Sequence, residues 1–388
     1  MEGVFEARGA VLVTSHIVAF RYLSLWRLGQ VDRSHAFLSS VLKTVEAQVM
    51  KRIEAPKESE YDVSDGFVAF WIVNLVQLWI SLYQAKHDAN RPRLSNSSIN
   101  LGGLNSKLDY DSMEKSLAQE VSDLGKVASD RVFQRWLKEL CKRHEKSAIS
   151  ALLDHQGLGG YVSQAAATRF FGFRNDSAPS VSIESFVSSV QSLLENCNRA
   201  CMDAVLKRSV FLHLFTYLSG TCFNQLLMRK NFLSWKRGVQ IQFNVTRLQQ
   251  WCTQNGMEEV SLCLEKLAQT AKLLQLAKKS AEDVELIFDA CFLLNPSQIK
   301  KIISLYQREE FEEAIAQEVI QAVAKRSVLD QETLFLDTSI GSGSSVLKLE
   351  SLSKGPSSFY TFPKKENFHY NLMNVPHIKN MFEAAMKD

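Results

Sequence analysis

The residues able to do chemistry are few and poorly clustered. Cys141 and His144 share the run CKRH, and Cys197 and Cys201 lie one helical turn apart. A zinc site draws three or four such ligands together. No second pair follows either one, and two small buried residues also suit the Cys197–Cys201 spacing. No GxxxxGK[ST] loop occurs, which excludes nucleotide hydrolysis by that route, and Gly157-Leu158-Gly159-Gly160 follows no strand pattern, so it reads as a loop. There is no GxSxG nucleophile elbow; Gly341-Ser342-Gly343-Ser344-Ser345 belongs to a flexible stretch. His213 falls inside an apolar helical pattern, where a satisfied core histidine is the default reading. The Asn-x-Ser/Thr matches at Asn96, Asn175 and Asn244 carry meaning only in a secreted chain. The expectation is a chain with no catalytic residues, no cofactor and no metal.

The elements that would position such residues are therefore the more informative feature. The chain has 388 residues, 46% hydrophobic and 22% charged, enough for two domains or two tightly packed subdomains. Only 17 Gly and 7 Pro interrupt long apolar runs, which predicts a mostly helical protein. A net charge of +3 without a concentrated basic stripe argues against direct nucleic-acid binding. Seven Cys, an odd number at irregular spacings, read as reduced thiols of the cytosol. The apolar start at 10–13 is too short for a signal peptide and is followed by His16 and Arg21. The run 67–83 falls short of a comfortable membrane span and carries Asn74 and Gln77, so it is expected as a buried core helix.

Periodicity predicts two helices over 10–49, broken near Leu28-Gly29, a third over 67–86, and a polar loop over 88–107. A long helix follows over 112–153, with Leu117, Val121, Leu124, Ala128, Val132, Trp136 and Leu140 on one stripe. The loop from Gly157 through Pro179 marks the expected boundary between halves. Ser182 is a plausible N-cap, 202–228 is apolar nearly all round, and Asn244 could cap a helix through Trp251. Val260, Leu264, Leu267, Ala271 and Leu274 mark one face of the next helix, while Glu265, Gln269, Lys272 and Gln275 fall off it. Asn295-Pro296-Ser297-Gln298 is a strong start signal. Further helices are expected over 298–306 and 311–325, then a Ser/Gly-rich extended strap over 338–363 and a short helix after Asn374. The resulting division is subdomain I over 1–178, subdomain II over 179–337 and the strap over 338–388.

The segment 229–242, RKNFLSWKRGVQIQ, places two basic pairs, Arg229-Lys230 and Lys236-Arg237, around Phe232, Leu233 and Trp235. Two readings fit. It is a loop whose aromatics plug the core while its basic residues stay wet, or a rigid basic and partly apolar surface that docks a partner. The longer run CFNQLLMRKNFLSWKRGVQIQFNVTRLQQWC (222–252) closely resembles the dilute-type segment of class V myosin globular tails, in a form that looks fungal. LAQTAKLLQ (267–275) and LNPSQIKKIISLYQ (294–307) continue the match in order, and VSDGFVAFWIVN and FQRWLKELCKRHEKSAI extend it upstream.

The resemblance implies an all-α fold: two helical bundles of about five helices each, linked by a long helix, with a C-terminal segment returning to the first. It implies a cargo-binding tail of an actin-based motor, itself non-catalytic, that binds adaptor proteins or Rab-type GTPases for vesicle, organelle or messenger-ribonucleoprotein transport. The setting implied is cytoplasmic, on actin cables and cargo surfaces at polarised growth sites or the bud, with RNA held only through an adaptor and no membrane insertion. The missing motor region points to a fragment of a longer chain. The alternative is a scaffold or junction protein that uses a related domain without a motor.

By motif, the partner-binding face of such tails maps onto Lys230, Val239, Phe243, Lys272 and Gln275. Val239 and Phe243 stand where relatives often carry Leu and Tyr. The vacuole-adaptor positions map onto Leu124, Ala128, Arg131 and Gln134, which lack the acid and asparagines of that site. Two basic residues that contact the motor head in animal relatives match Lys230 and Lys301, which either share a basic face or are two separately solvated lysines.

Overall fold

Helices ended by local signals build most of what the computed structural model describes, residues 2–54, 63–89, 118–159, 181–328 and 333–339. Among these residues no strand forms, and one isolated bridge joins Leu233 to Tyr306. Contacts divide the chain into two units. The first takes in the described residues up to Trp136 together with Glu195–Val205; the second takes in Leu137–Leu194 and the described residues from Leu206 onward.

In the first unit, α1 (Glu2–Arg27) and α2 (Val31–Glu54) pack on each other and on α3 (Val63–Ala89). The α1 helix stops at Gly29, whose φ of +75° favours a residue without a Cβ. The amides of Gly29 and Gln30 close back on Trp26 and Leu25, a Schellman end that satisfies two terminal carbonyls. The α3 stretch 65–84 is apolar and long enough to cross a membrane by composition, but 72% of it is buried inside the protein. Asn74 accepts from the Ser15 amide and donates to Phe70 O, so this core helix carries its polar side chains satisfied.

Helix α4 runs over 118–154 and contains two π-helical segments, Val127–Phe133 and Ser150–Asp154, around the regular stretch Gln134–Ile149. The division between the units falls within it, between Trp136 and Leu137. That is some forty residues before the boundary expected near 178, because the end of α4 is held by side chains of the second unit. Trp136 is buried and donates through Nε1 to Asp65 at 3.0 Å.

The second unit contains most of α5 (Ile183–Arg199) and α6 (Ala204–Met228), then α7 (Trp235–Gln254), α8 (Glu258–Ser261), a 3-10 turn (Leu262–Leu264) and α9 (Glu265–Gln275). It continues with α10 (Ala281–Ala290), α11 (Pro296–Leu305) and α12 (Gln317–Ser327). The apolar 206–227 stretch of α6 buries Phe211, Phe215, Phe223 and their leucine neighbours. Ser182 caps α5 through the Ser185 amide, and the box of Asn295 and Gln298 starts α11.

Three local expectations change. Asn244 lies inside α7 rather than at its start; the cap is Ser234, which accepts from Arg237 N at 3.3 Å. The stretch 311–316 is not helical, and α12 begins only at Gln317. Helix α10, with its Ser280 and Asp283 capping box, stands in a stretch where no helix was expected. The loops over 88–107 and 160–179 lie largely or wholly outside the described residues, as do the strap beyond Ser339 and the final helix after Asn374.

Candidate protein-docking face

The motif 229–242 does not behave as one wet loop. Leu233 is buried and its carbonyl accepts from Gln307 N at 2.6 Å, pinning the turn to the end of α11. Two guanidinium groups lie over the Phe232 ring, Arg229 at 4.7 Å and Arg237 at 4.4 Å from its centroid. Arg229 also pairs with Asp154 at 2.5 Å. Trp235 meets Phe311 edge to face at 5.7 Å, and Lys236 approaches Glu309 at 4.0 Å. Of the four basic residues Lys230 alone is exposed.

Arg237 corrects the expectation of solvated basic residues most clearly. It is 4% exposed, and its guanidinium donates to Leu153 O at 3.2 Å and Asp154 O at 3.4 Å. Those carbonyls end α4, where the helix dipole places partial negative charge and no intrahelical donor remains. One and two turns along α7, the same face offers Gln240 and Asn244. Gln240 exchanges two bonds with the Leu158 backbone, at 3.2 and 2.8 Å. Asn244 donates to Leu152 O at 3.3 Å and His155 O at 3.0 Å. Three polar residues that no apolar stripe would predict thus terminate and anchor α4.

The opposite flank of α7 meets α9 at backbone distance. A Cβ on Gly238 would lie 2.9 Å from Ala271 O and 2.8 Å from Leu274 Cβ, so only glycine lets the two helices approach this closely. Four candidate residues sit on this helix pair. Val239 and Phe243 are half-buried on α7; Lys272 is exposed and Gln275 half-buried on α9. Gln275 returns its amide to Ala271 O at 3.0 Å, which fixes its side chain along the helix. Phe243 borders the 155–158 turn, 3.6 Å from where a Cβ on Gly157 would stand. Lys230 occupies the turn between α6 and α7.

Two further polar residues shape the pair from behind. Gln269, expected off the apolar stripe, is 3% exposed and accepts from the Leu293 amide at 2.8 Å. Lys278, 7% exposed, caps α9 by donating to Leu276 O at 2.6 Å and Leu274 O at 3.2 Å, with its ammonium 4.5 Å from the Tyr306 ring centroid. Burial lowers its pKa to about 8 against the pull of Glu312, Cys291 and Asp283. The signal for such residues is positional: a polar residue falling between two apolar positions of one stripe.

Elsewhere the candidates separate. Lys301 is half-buried on α11, tied to the 230 region through the Leu233–Tyr306 bridge. Leu124 and Ala128 are 0% and 1% exposed, so they are core residues. Arg131 is exposed and pairs with Glu46 at 3.1 Å. All seven cysteines are free thiols. Burial pushes Cys141, Cys222 and Cys252 up to about 12 and Cys291 to about 11, which makes them poor nucleophiles. Among the described residues, no three His, Cys, Asp or Glu side chains converge as metal ligands.

Residues 209–310 match the DIL domain. Myosin-2 of Lachancea kluyveri is 31% identical over 321 residues, 82% of this chain and 20% of the relative. Myosin-2 of Saccharomyces cerevisiae is 31% identical over 325 residues, 83% of this chain and 19% of the relative. The chain therefore spans about a fifth of the length of these relatives. Solved structures of Myo2-GTD in complex with Mmr1, with Smy1 and with Inp2 each align with a TM-score of 0.70 at 26% identity, covering 87% of this chain and 79% of theirs. On motif, fold and DIL match together, the chain is a homologue of the class V myosin globular tails.

Proposed function

We propose that this chain is a cargo-docking module, and that the face of α7 and α9 carrying Val239, Phe243, Lys272 and Gln275, with Lys230 beside it, takes an adaptor protein or a Rab-type GTPase. The observation that carries the reading is the Gly238 contact. It fixes two helices against each other so that apolar and polar side chains are presented in a set geometry before any partner arrives, which lowers the entropic cost of binding. The related tail forms complexes with Mmr1, Smy1 and Inp2, which supports protein adaptors as the class of partner. In a longer heavy chain the module would follow an actin-activated motor and place cargo on actin cables in the cytoplasm, at polarised growth sites or the bud. Paired tails facing many receptors would raise modest single-site affinity through avidity. Lys230 and Lys301 are proposed as the contact for the chain's own motor head, an interaction that should weaken with salt.

The test is affinity capture with the wild-type chain and with a Lys230→Ala, Lys272→Ala, Gln275→Ala triple variant whose helical content is confirmed by circular dichroism. Loss of a set of bound proteins from a folded variant supports the face and names its cargo. An identical set of partners on both forms rejects it.

A further inference from the structure

His213 is half-exposed and lines a cleft of about 220 Å³. One wall is a single face of α6, with Leu212, His213, Thr216 and Tyr217; the other is the extended segment Asp337, Thr338 and Ser339. That segment is clamped by its backbone. Asn224 donates to Leu336 O at 2.9 Å and accepts from Leu336 N at 2.8 Å. Gly220 permits the close approach, since a Cβ there would lie 3.1 Å from the Thr338 methyl. Helices α6 and α11 share the hold on the segment, because Gln298 and Asn295 donate to Leu334 O and Thr333 O, each at 3.1 Å. The wall is a fixed part of the unit.

The cleft is unevenly equipped for hydrogen bonding. His213 Nδ1 lies 2.7 Å from Ser209 O, a carbonyl that can only accept, so Nδ1 carries a proton and Nε2 is the ring nitrogen left to accept. Asp337 adds an exposed carboxylate, held below its ordinary pKa by the Ser339 hydroxyl and amide, and therefore charged at neutral pH. The phenol of Tyr217 is committed to Glu145 at 2.5 Å, which brings a second carboxylate near and leaves an aromatic ring in the lining. No cation is among the described residues that line the cleft. Carboxylate, imidazole acceptor, hydroxyls and a ring together match a donor-only, planar cation.

We infer that this cleft is a docking site for an arginine side chain of a partner protein, separate from the α7 and α9 face and independent of it. The guanidinium offers five N–H donors and a flat surface for the Tyr217 ring; a lysine ammonium, a compact point charge, satisfies fewer of these groups at once. The full isotope-labelled chain is titrated with the blocked tripeptide acetyl-Gly-Arg-Gly-amide and, in parallel, with its norleucine counterpart, following the Thr216 and Ser339 amides by NMR. Saturable shifts with the arginine peptide, absent with norleucine and reduced by salt, are expected. The exposed Asp337→Asn substitution should weaken binding about three-fold, the size of one partly exposed ion pair. Equal shifts from the norleucine peptide, no saturation with arginine, or undiminished affinity in Asp337→Asn would each overturn the assignment.

Discussion

Gly238 shows how far one hydrogen atom can govern the spacing of the α7 and α9 pair. Its missing side chain lets α7 reach the Ala271 carbonyl, and a methyl group there would meet that backbone oxygen at 2.9 Å and Leu274 Cβ at 2.8 Å. Neither atom is the end of a flexible chain, so the helices must separate. Overpacking of this kind costs about 1–3 kcal/mol, and the better helix propensity of alanine returns up to about 1 kcal/mol. Gly238→Ala is therefore expected to lower stability by about 1–2 kcal/mol, read as a lower urea midpoint at unchanged slope. Trimming Gln275 in the same chain should recover little, because the backbone contact with Ala271 O stays. Wild-type stability in Gly238→Ala would mean that α7 and α9 are not held at this spacing.

At the scale of the element, α7 is a helix read from two sides: Gly238 on one, and Arg237, Gln240 and Asn244 on the other. Asn244→Ala leaves the carbonyls of Leu152 and His155 without their donor. Leaving such buried groups unpaired costs about 1–3 kcal/mol. Hydrogen exchange should accelerate over 150–158 more than over α9, since α9 meets the other flank; uniform acceleration across both would count against the clamp. This double use of α7 also explains what sequence could reveal. The α6 helix, the Gly29 break and the Asn295–Gln298 box were legible because each follows a local rule of period, φ or capping. Asn244 misled because a buried asparagine bonding across space has the composition of a helix start. The 311–316 stretch reads as helical from its Glu and Ala content, yet Phe311 packs on Trp235 and Glu312 bonds Tyr306, which hold the backbone open. The four helix-borne residues of the proposed docking face were assigned by motif, Lys272 and Gln275 also by falling off the apolar stripe, and they stand on α7 and α9. The acceptor-lined cleft had no sequence signature, since its two walls lie more than a hundred residues apart.

For the molecule as a whole, the buried ammonium of Lys278 links stability to pH. Its folded pKa of about 8 lies below the unfolded value of 10.5, with desolvation as the chief cause. Below about pH 8 both states carry the proton, and the folded state bears the full penalty of a buried charge. Between about 8 and 10.5 the unfolded state binds more protons, so this group makes stability rise with pH. The rise should be about 1 kcal/mol between pH 8 and pH 9. Tyr306 and the buried cysteines are shifted upward by burial and act in the opposite sense, reducing stability as pH climbs through their unfolded values of about 9 to 10. The clean comparison is between wild type and Lys278→Met, in which those opposing groups remain. Lys278→Met forfeits the caps on Leu274 O and Leu276 O, so its absolute stability changes, but from pH 8 to pH 9 its stability, read from urea midpoints, should fall behind that of wild type by about 1 kcal/mol. Parallel pH profiles for the two proteins would show that Lys278 keeps its proton throughout, and that hydrogen bonds to the end of α9 outweigh the cost of burying its charge.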